Sequence, residues 1–317
     1  MTTQEIFDLG VKLGIKSDLR GEQKVKEFLA RAKKKYEKLS KDGQADYDEE
    51  KWVNPYSDSR VLVDNNKKEI KKIMVGVDLE APELLLAREI GADLAFTHHP
   101  EGKALADLHT VMELQAEVLA GYGVPINIAE QVIKPRISEV GRGVVSGNYN
   151  RNVDFAKAIK MDYICVHTPC DNLGAQFMIE LIERKKPEYI EDLLALIKEI
   201  PEYSEAAKLN AGPKLFVGSP ENHCGKIAVT EFTGGTSGSK DMFEKMSHAG
   251  IGTIIGMHMS EDHRKEAEKH HINVVIAGHM SSDSLGLNLF CDELEKKGIE
   301  IIPISGFFRI KRLLRTR

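Results

Sequence analysis

The chain has 317 residues and a formal net charge of −5, with 42% hydrophobic and 29% charged residues. This length favours about two domains, and the composition is ordinary for a globular protein. The negative charge gives no general attraction to nucleic acid or to an anionic membrane, and no apolar run approaches the roughly 20 residues that span a bilayer. The amino terminus lacks the basic and apolar regions of a signal peptide. We therefore expect a cytoplasmic protein with neither a membrane nor a nucleic-acid partner.

The first part of the chain predicts a helical extension over residues 1–55. From Val25 to Leu39 apolar residues recur at spacings of three and four, with Lys and Glu between them, as in an amphipathic helix. The segment 42–64 that follows is polar and contains Asn54-Pro55, a composition typical of a linker.

Short apolar runs alternate with amphipathic stretches from residue 71 onward. Most of the amphipathic stretches end near a glycine, for example Gly91 and Gly250. Such alternation predicts parallel or mixed sheets covered by helices on both faces, and therefore an α/β fold. The predicted strands are 73–77, 94–97, 125–129, 163–167, 227–232, 253–257, 274–277 and 299–304.

An internal similarity suggests two related halves. The sequence from Gly91 to His98 resembles the sequence from Gly250 to His258, since each runs from a glycine through an apolar strand to a histidine. We predict two similar three-layer α/β/α halves, 56–186 and 213–317, joined by a helical linker at 187–212. In an alternative arrangement, the C-terminal strand and helix pack back on the first half. The last eleven residues, 307–317, contain five Lys or Arg and predict a solvated end or a subunit contact.

Two adjacent histidines, His98 and His99, follow an apolar strand and precede Pro100. In open α/β sheets the carboxyl ends of strands form the usual ligand site, and neutral imidazole is the commonest metal ligand. On a regular strand adjacent side chains point to opposite faces, but a turn forced by Pro100 lets both rings reach one cavity. The pair indicates a metal site, or alternatively two polar residues that satisfy loop backbone groups.

A second histidine follows the predicted strand 274–277. If the turn after Gly278 is helical, His279 and Asp283 share one face at spacing i, i+4, which suits two ligands of one ion. Alternatively, Asp283 is only an acidic residue in the first turn of a helix.

A carboxylate ends the third motif, His167-Thr-Pro-Cys-Asp171. At a strand end such a carboxylate can bridge two cations, although Asp171 also fits an ordinary Asp-Asn turn. Three strand ends that each offer His or Asp favour convergence on one site.

These motifs resemble those of the NIF-three-like proteins, also called GTP cyclohydrolase one type two. The resemblance spans roughly residues 73–304 and is most specific at the two His-rich motifs. It implies two α/β halves with a dinuclear metal centre between them, and a ring-shaped homohexamer. The implied metal ligands are His98, His99, Asp171, His279 and Asp283.

Two departures from the family pattern affect this assignment. The family usually has Glu at the last ligand position, so the shorter Asp283 requires a closer helix or a changed coordination. The interval from His99 to His167 is also about thirty residues longer than expected, which makes Asp171 the least secure ligand. Asp107 and His109 are the substitutes.

The predicted ligands form a mixed nitrogen and oxygen set that suits two divalent ions of zinc, iron, manganese or cobalt. Such a pair activates a water for hydrolysis, so we expect a hydrolase for a nucleotide or another phosphorylated small molecule, with GTP cyclohydrolase activity as one form. The Gly-rich segment 233–239 predicts a tight turn near the metal, or a phosphate site. His258 is the one further acid or base candidate. The alternative function is a metal-binding or regulatory protein without catalysis.

Overall fold

The structure, a computed structural model, describes residues 1–67 and 69–312. The strands are β1 (Arg60–Val63), β2 (Lys72–Gly76), β3 (Leu94–Thr97), β4 (Asp162–Cys165), β5 (Lys214–Val217), β6 (Lys226–Val229), β7 (Ile251–Gly256), β8 (Asn273–Ile276) and β9 (Glu300–Ile304). The helices are α1 (Thr3–Lys16), α2 (Glu22–Glu37), α3 (Lys41–Ala45), α4 (Ala81–Glu89), α5 (Gly102–Ala106), α6 (Leu108–Val111), α7 (Glu113–Gly121), α8 (Ile126–Val144), α9 (Arg151–Ala158), α10 (Thr168–Lys185), α11 (Ile190–Lys198), α12 (Pro201–Lys208), α13 (Met242–His248), α14 (Glu261–Lys269) and α15 (His279–Glu295). A 3-10 helix spans Glu49–Trp52. Within the described ranges, no helix is both long enough and apolar enough to cross a membrane.

Five strands form the first sheet in the order β1-β4-β3-β2-β9. Strands β4, β3, β2 and β9 are parallel, and β1 runs antiparallel to β4 at one edge. The last strand of the chain therefore completes the first sheet, where Glu300–Ile304 pairs with Lys72–Gly76. Since parallel strands end at the same edge, the residues that follow β3 and β4 lie side by side.

Four strands form the second sheet in the order β5-β8-β7-β6. Strands β6, β7 and β8 are parallel, while β5 is antiparallel to β8 at the edge. Apolar residues of α11 and α12, such as Ile190 and Tyr203, are buried in one cluster with Val229 and Ile255 of this sheet. The predicted α/β class with two mixed sheets is confirmed, because each sheet has a parallel core and one antiparallel edge strand.

The two N-terminal helices differ in how they pack. Helix α1 buries Ile6 and Phe7 in the same core cluster as Ile73 and Phe96 of the first sheet. Helix α2 confirms the amphipathic helix expected from residue 25, but Val25 is its one buried side chain. The N-terminal segment is therefore helical as predicted, with α1 integrated into the core and α2 largely exposed.

Three local predictions are wrong. Residues 125–129 are not a strand, because Pro125 precedes helix α8 and the apolar residues continue at helical spacing through Ile133. The segment 42–64 is not a plain linker, since it contains most of α3, the 3-10 helix and β1. Strand β5 was not expected, because its residues alternate between exposed and half-buried positions at a sheet edge.

Part of the basic C-terminal tail is bound to the protein body. Arg309 forms an ion pair with Asp292 at 2.5 Å, and Arg312 pairs with the fully buried Glu202. The expectation of a solvated end is therefore wrong for these two residues, and 313–317 lie outside the described residues.

Helices α10 and α15 approach each other so closely that their backbones touch. A Cβ atom on Gly286 would lie 2.3 Å from the backbone oxygen of Cys170, far inside an ordinary contact. Only glycine permits this approach at residue 286. The contact brings the first turn of α10, which carries Asp171, against the part of α15 that follows Asp283.

Candidate metal centre

Strand ends from both sheets converge at the site. His98 and His99 follow β3 directly, His167 follows β4, and His279 begins α15 just after β8. Backbone pairing explains how adjacent rings share a cavity. His98 N–H donates to the Gly76 carbonyl at 2.9 Å and His99 N–H donates to the Val77 carbonyl at 3.0 Å. In a regular strand successive N–H groups point to opposite sides. Here both point toward the end of β2, so the regular alternation of side chains does not continue through His98 and His99.

The structure brings together all five residues that the resemblance nominated. His98 Nε2 lies 3.2 Å from Asp171 Oδ1 and 3.5 Å from Asp283 Oδ1. The other oxygen of Asp283, Oδ2, lies 3.6 Å from Nε2 of His99 and 3.6 Å from Nε2 of His279. Two of the donor sets that could hold a metal ion are His98, Asp171 and Asp283, and His99, His279 and Asp283. Asp283 belongs to both.

Several donor atoms of this cluster are buried without a hydrogen-bond partner. His98 is 0% exposed, Asp283 is 1% exposed and Asp171 is 5% exposed. The atoms without a partner are His98 Nε2, Asp171 Oδ1 and both carboxylate oxygens of Asp283. Buried polar groups left unpaired are costly, and a carboxylate in this state is especially so. A cation bound among these atoms would satisfy all of them, so the donor set fits a metal ion.

Protons take the place of a cation when the cluster is metal-free. Burial disfavours the charged form of His98, but the carboxylates of Asp283 and Asp171 outweigh it and raise the pKa of His98 well above its ordinary value. Burial also opposes charge on His99, where the nearby carboxylates of Asp283 and Asp78 outweigh it and raise the pKa to about 9. Burial raises the pKa of Asp283, but the neighbouring imidazoles outweigh it and lower that pKa overall. At His279 burial prevails and lowers the pKa.

Contacts at Nδ1, on the side of each ring away from the cavity, orient the two adjacent histidines. His98 Nδ1 lies 3.3 Å from the Val166 carbonyl oxygen, and His99 Nδ1 lies 2.6 Å from Asp78 Oδ1. Carbonyl and carboxylate oxygens only accept, so Nδ1 carries the proton in each ring and Nε2 faces the cavity. Metal-binding histidines are commonly held this way.

The substitutes for Asp171 lie elsewhere. Asp107 pairs with Lys51 at 2.9 Å, and the ring of His109 packs against Gly141. Neither belongs to the donor sets, whereas Asp171 does.

His258 lies beside the cluster rather than within it. Strand β7 ends two residues before His258, and its ring centroid lies 4.9 Å from that of His279. Its Nδ1 lies 3.2 Å from Ser237 Oγ of the Gly-rich segment. That segment therefore borders the site, and Gly234 and Gly235 both have φ of +89°, as tight turns require.

Sequence reasoning gave no role to His167 or to its partner Asp58. His167 is 7% exposed, and together with His98 and His99 it forms a further donor set. Its position after β4 matches that of His98 after β3, so the strand-end signal could have identified it. Asp58 lies in a different segment, where no spacing connects it to the site.

Neither a protein-family model nor a curated protein matches the sequence significantly. Among solved structures, a NIF3 superfamily protein from Sphaerobacter thermophilus is 27% identical, with a TM-score of 0.72 over 79% of this chain and 92% of that protein. Reduced HcgD from Methanocaldococcus jannaschii is more distant, at 19% identity and a TM-score of 0.49 over 77% of this chain and 87% of that protein.

The two mixed sheets and the buried His and Asp cluster define an α/β protein with a site that could hold a metal ion. The fold, the motifs and the Sphaerobacter structure agree on one family. The solved structure therefore supports the resemblance to the NIF3-like family that the motifs indicated.

Proposed function

We propose that this protein is a hydrolase that holds two divalent transition-metal ions and acts on a nucleotide or another phosphorylated small molecule. One observation carries the proposal: the carboxylate of Asp283, 1% exposed, has two unpaired oxygens that face different sets of histidines. A carboxylate so placed suits a bridge between two cations.

The two donor sets assign the ligands. One ion would be held by His98, Asp171 and Asp283, and the other by His99, His279 and Asp283. This mixture of imidazole nitrogen and carboxylate oxygen suits zinc, iron, manganese or cobalt. When bound, two such ions supply Lewis-acid activation of water and stabilise developing negative charge.

The Gly-rich segment supports a phosphorylated substrate. Among the described residues, the backbone N–H groups of Gly234 and Gly235 find no hydrogen-bond acceptor. Free N–H groups in a glycine turn are suited to bind a phosphate oxygen. Ser237 of this segment contacts His258, which borders the ligand His279, so a phosphate bound here would lie beside the metal centre. His258 is placed to hold or donate a proton at its ring nitrogen.

We also propose a homohexamer, as the family resemblance implies. Three large apolar side chains at helix α4, Leu85, Leu86 and Ile90, are about two-fifths exposed, at 40%, 41% and 39%. Apolar side chains clustered at a surface support a contact between subunits. Light scattering coupled to size-exclusion chromatography measures the assembly, and a monomer would refute it.

Metal analysis tests the centre. Protein purified without chelator should contain about two transition-metal ions per chain, and His98→Ala and His279→Ala should each lower that content. His223→Ala is the control, since the side chain of His223 is 67% exposed and lies outside the donor sets. Unchanged metal content in both site variants would refute the centre.

A substrate panel tests the reaction. GTP and a series of phosphoesters are incubated with metal-loaded wild type and with the same variants. Product that requires both metal and the ligands supports the hydrolase, and the identity of the product separates ring opening of GTP from phosphoester cleavage. No metal-dependent product across the panel would favour a metal-binding protein without catalysis.

A further inference from the structure

We propose that His167 is a further metal ligand, which would join His98, Asp171 and Asp283 on one of the two ions. This inference rests on the metal centre proposed above and adds a donor that the family resemblance does not assign. The donor nitrogens of His98, His99 and His167 lie within 4.8 Å of one another, so the ring of His167 lies within the cluster.

The position of His167 follows from the fold. It comes two residues after the end of β4 and immediately before α10, so it lies beside the end of β3. Its ring centroid lies 4.9 Å from that of His98 and 5.8 Å from that of His99. The ring is 7% exposed and therefore faces the buried cluster rather than solvent.

A buried carboxylate fixes the orientation of this ring. His167 Nδ1 lies 2.8 Å from Asp58 Oδ2, and Asp58 is 0% exposed. Thr168 Oγ1 donates to the same oxygen at 2.6 Å, and His167 N–H donates to Ser59 Oγ at 2.9 Å. Because a carboxylate accepts only, Nδ1 carries the proton and the lone pair is on Nε2.

The same arrangement holds the two neighbouring histidines. The Nδ1 atoms of His98 and His99 face the Val166 carbonyl and the Asp78 carboxylate, which leaves both Nε2 atoms free for the cavity. A histidine that binds a metal through one ring nitrogen usually donates a hydrogen bond from the other nitrogen to a carboxylate or a carbonyl. His167 therefore has the hydrogen-bonded support that a metal ligand requires, and Asp58 acts as its positioning residue.

The distance to Asp171 favours coordination over direct hydrogen bonding. His167 Nε2 lies 3.7 Å from Asp171 Oδ2, which is too long for a hydrogen bond. Two donors that each bind one ion at about 2.0–2.1 Å lie roughly 3–3.5 Å apart, so a small movement completes the contact. A second imidazole on this ion would also bias the site toward zinc, cobalt or iron and away from magnesium.

Titration with Co²⁺ tests the inference. Metal-free full-length wild type is titrated while the visible absorption of bound Co²⁺ is followed, and zinc affinity is measured by competition with a chromophoric chelator. We expect His167→Ala to shift the Co²⁺ spectrum, as loss of a nitrogen ligand does, and to weaken binding of one ion by at least the roughly 10–100-fold that loss of a ligand's supporting group costs. Asp58→Asn should act in the same direction with a smaller effect, and added imidazole should restore binding to His167→Ala.

The controls separate this inference from the metal centre itself. His223→Ala should match wild type, because its ring is exposed. Thermal melting of the metal-free proteins reports folding, and His167→Gln, whose amide can still donate to Asp58, replaces His167→Ala if the latter does not fold. Wild-type affinity and spectrum in a folded His167 variant would overturn the inference alone. A wild-type protein that binds no Co²⁺ or zinc would overturn the proposed centre as well.

Discussion

The substitution Gly286→Ala tests whether the close contact between α10 and α15 sets the geometry of the metal centre. Asp171 follows Cys170 in the first turn of α10, and Asp283 lies one turn before Gly286 on α15. The added methyl group would therefore press on the two elements that carry the carboxylate ligands.

The size of the effect follows from the distances. The new Cβ atom would lie 2.3 Å from the Cys170 oxygen, whereas ordinary contact begins at 3.4 Å, so the backbones must separate by about 1 Å. Overpacking of this kind costs about 1–3 kcal/mol of stability. Metal-ligand bonds of about 2 Å do not stretch by that amount, so Asp171 and Asp283 could no longer bind one ion together. We expect zinc affinity to fall about 10–100-fold, as for loss of ligand support.

Gly174→Ala is the matched control on the partner helix. A Cβ atom at Gly174 meets no heavy atom closer than 3.6 Å, and the residue is helical, so alanine should be neutral or slightly stabilising. Zinc competition and thermal melting of the metal-free proteins measure both properties. Equal behaviour of the two variants, or wild-type affinity in Gly286→Ala, would refute the argument.

Four further predictions concern proton release on zinc binding, the pH dependence of stability, an ion pair and a turn. Zinc binding at pH 7 should release protons, because the pKa values of His98 and His99 are raised, that of His99 to about 9. Calorimetry in buffers of different ionisation enthalpy measures this proton release. In the metal-free protein, the stabilisation from His99 is fully present below its unfolded pKa of about 6.5 and is lost as the pH rises through about 9, and an unchanged melting temperature over that range would contradict it. Arg312→Ala should cost about 3 kcal/mol in denaturant unfolding, because it leaves the buried Glu202 carboxylate without its cation, while zinc binding stays unchanged. Gly278→Ala should lower the melting temperature and the zinc content, since φ is +117° there and a Cβ atom would lie 2.7 Å from a neighbouring side chain; wild-type values would argue against strain at this turn.

The sequence predicted the parallel strands well and the two antiparallel edge strands poorly. Strand β3 lies between other strands, and all four of its residues are buried, so it is a continuous apolar run. The antiparallel edge strands β1 and β5 are neither longer nor shorter than β3, but they are not buried throughout, and β1 follows a polar segment. The polarity of that segment does not mark a linker, because Asn54 and Asp58 are buried and hydrogen bonded within the fold.

The candidate site could be predicted only where a residue follows a strand directly. His98, His99 and His279 carry that local signal, and Asp283 is tied to His279 by helical spacing. Asp58 and Asp78 orient rings that are far away along the chain, so the relation exists only after folding. The assignment of Asp171 depended on the family resemblance, and the structure brings its carboxylate within 3.2 Å of His98.

The path of the C-terminal segment explains how ligands from two sheets are held in fixed positions. Helix α15 carries His279 and Asp283, and it leads within a few residues into β9, which pairs with β2 beside β3. Phe290 of α15 also packs on Phe96 of β3, with ring centroids 5.6 Å apart. The strand that precedes His98 and the helix that carries Asp283 therefore share both a sheet and a core. A metal ion bound between them would find its donors arranged in advance, and little ordering would be needed when it binds.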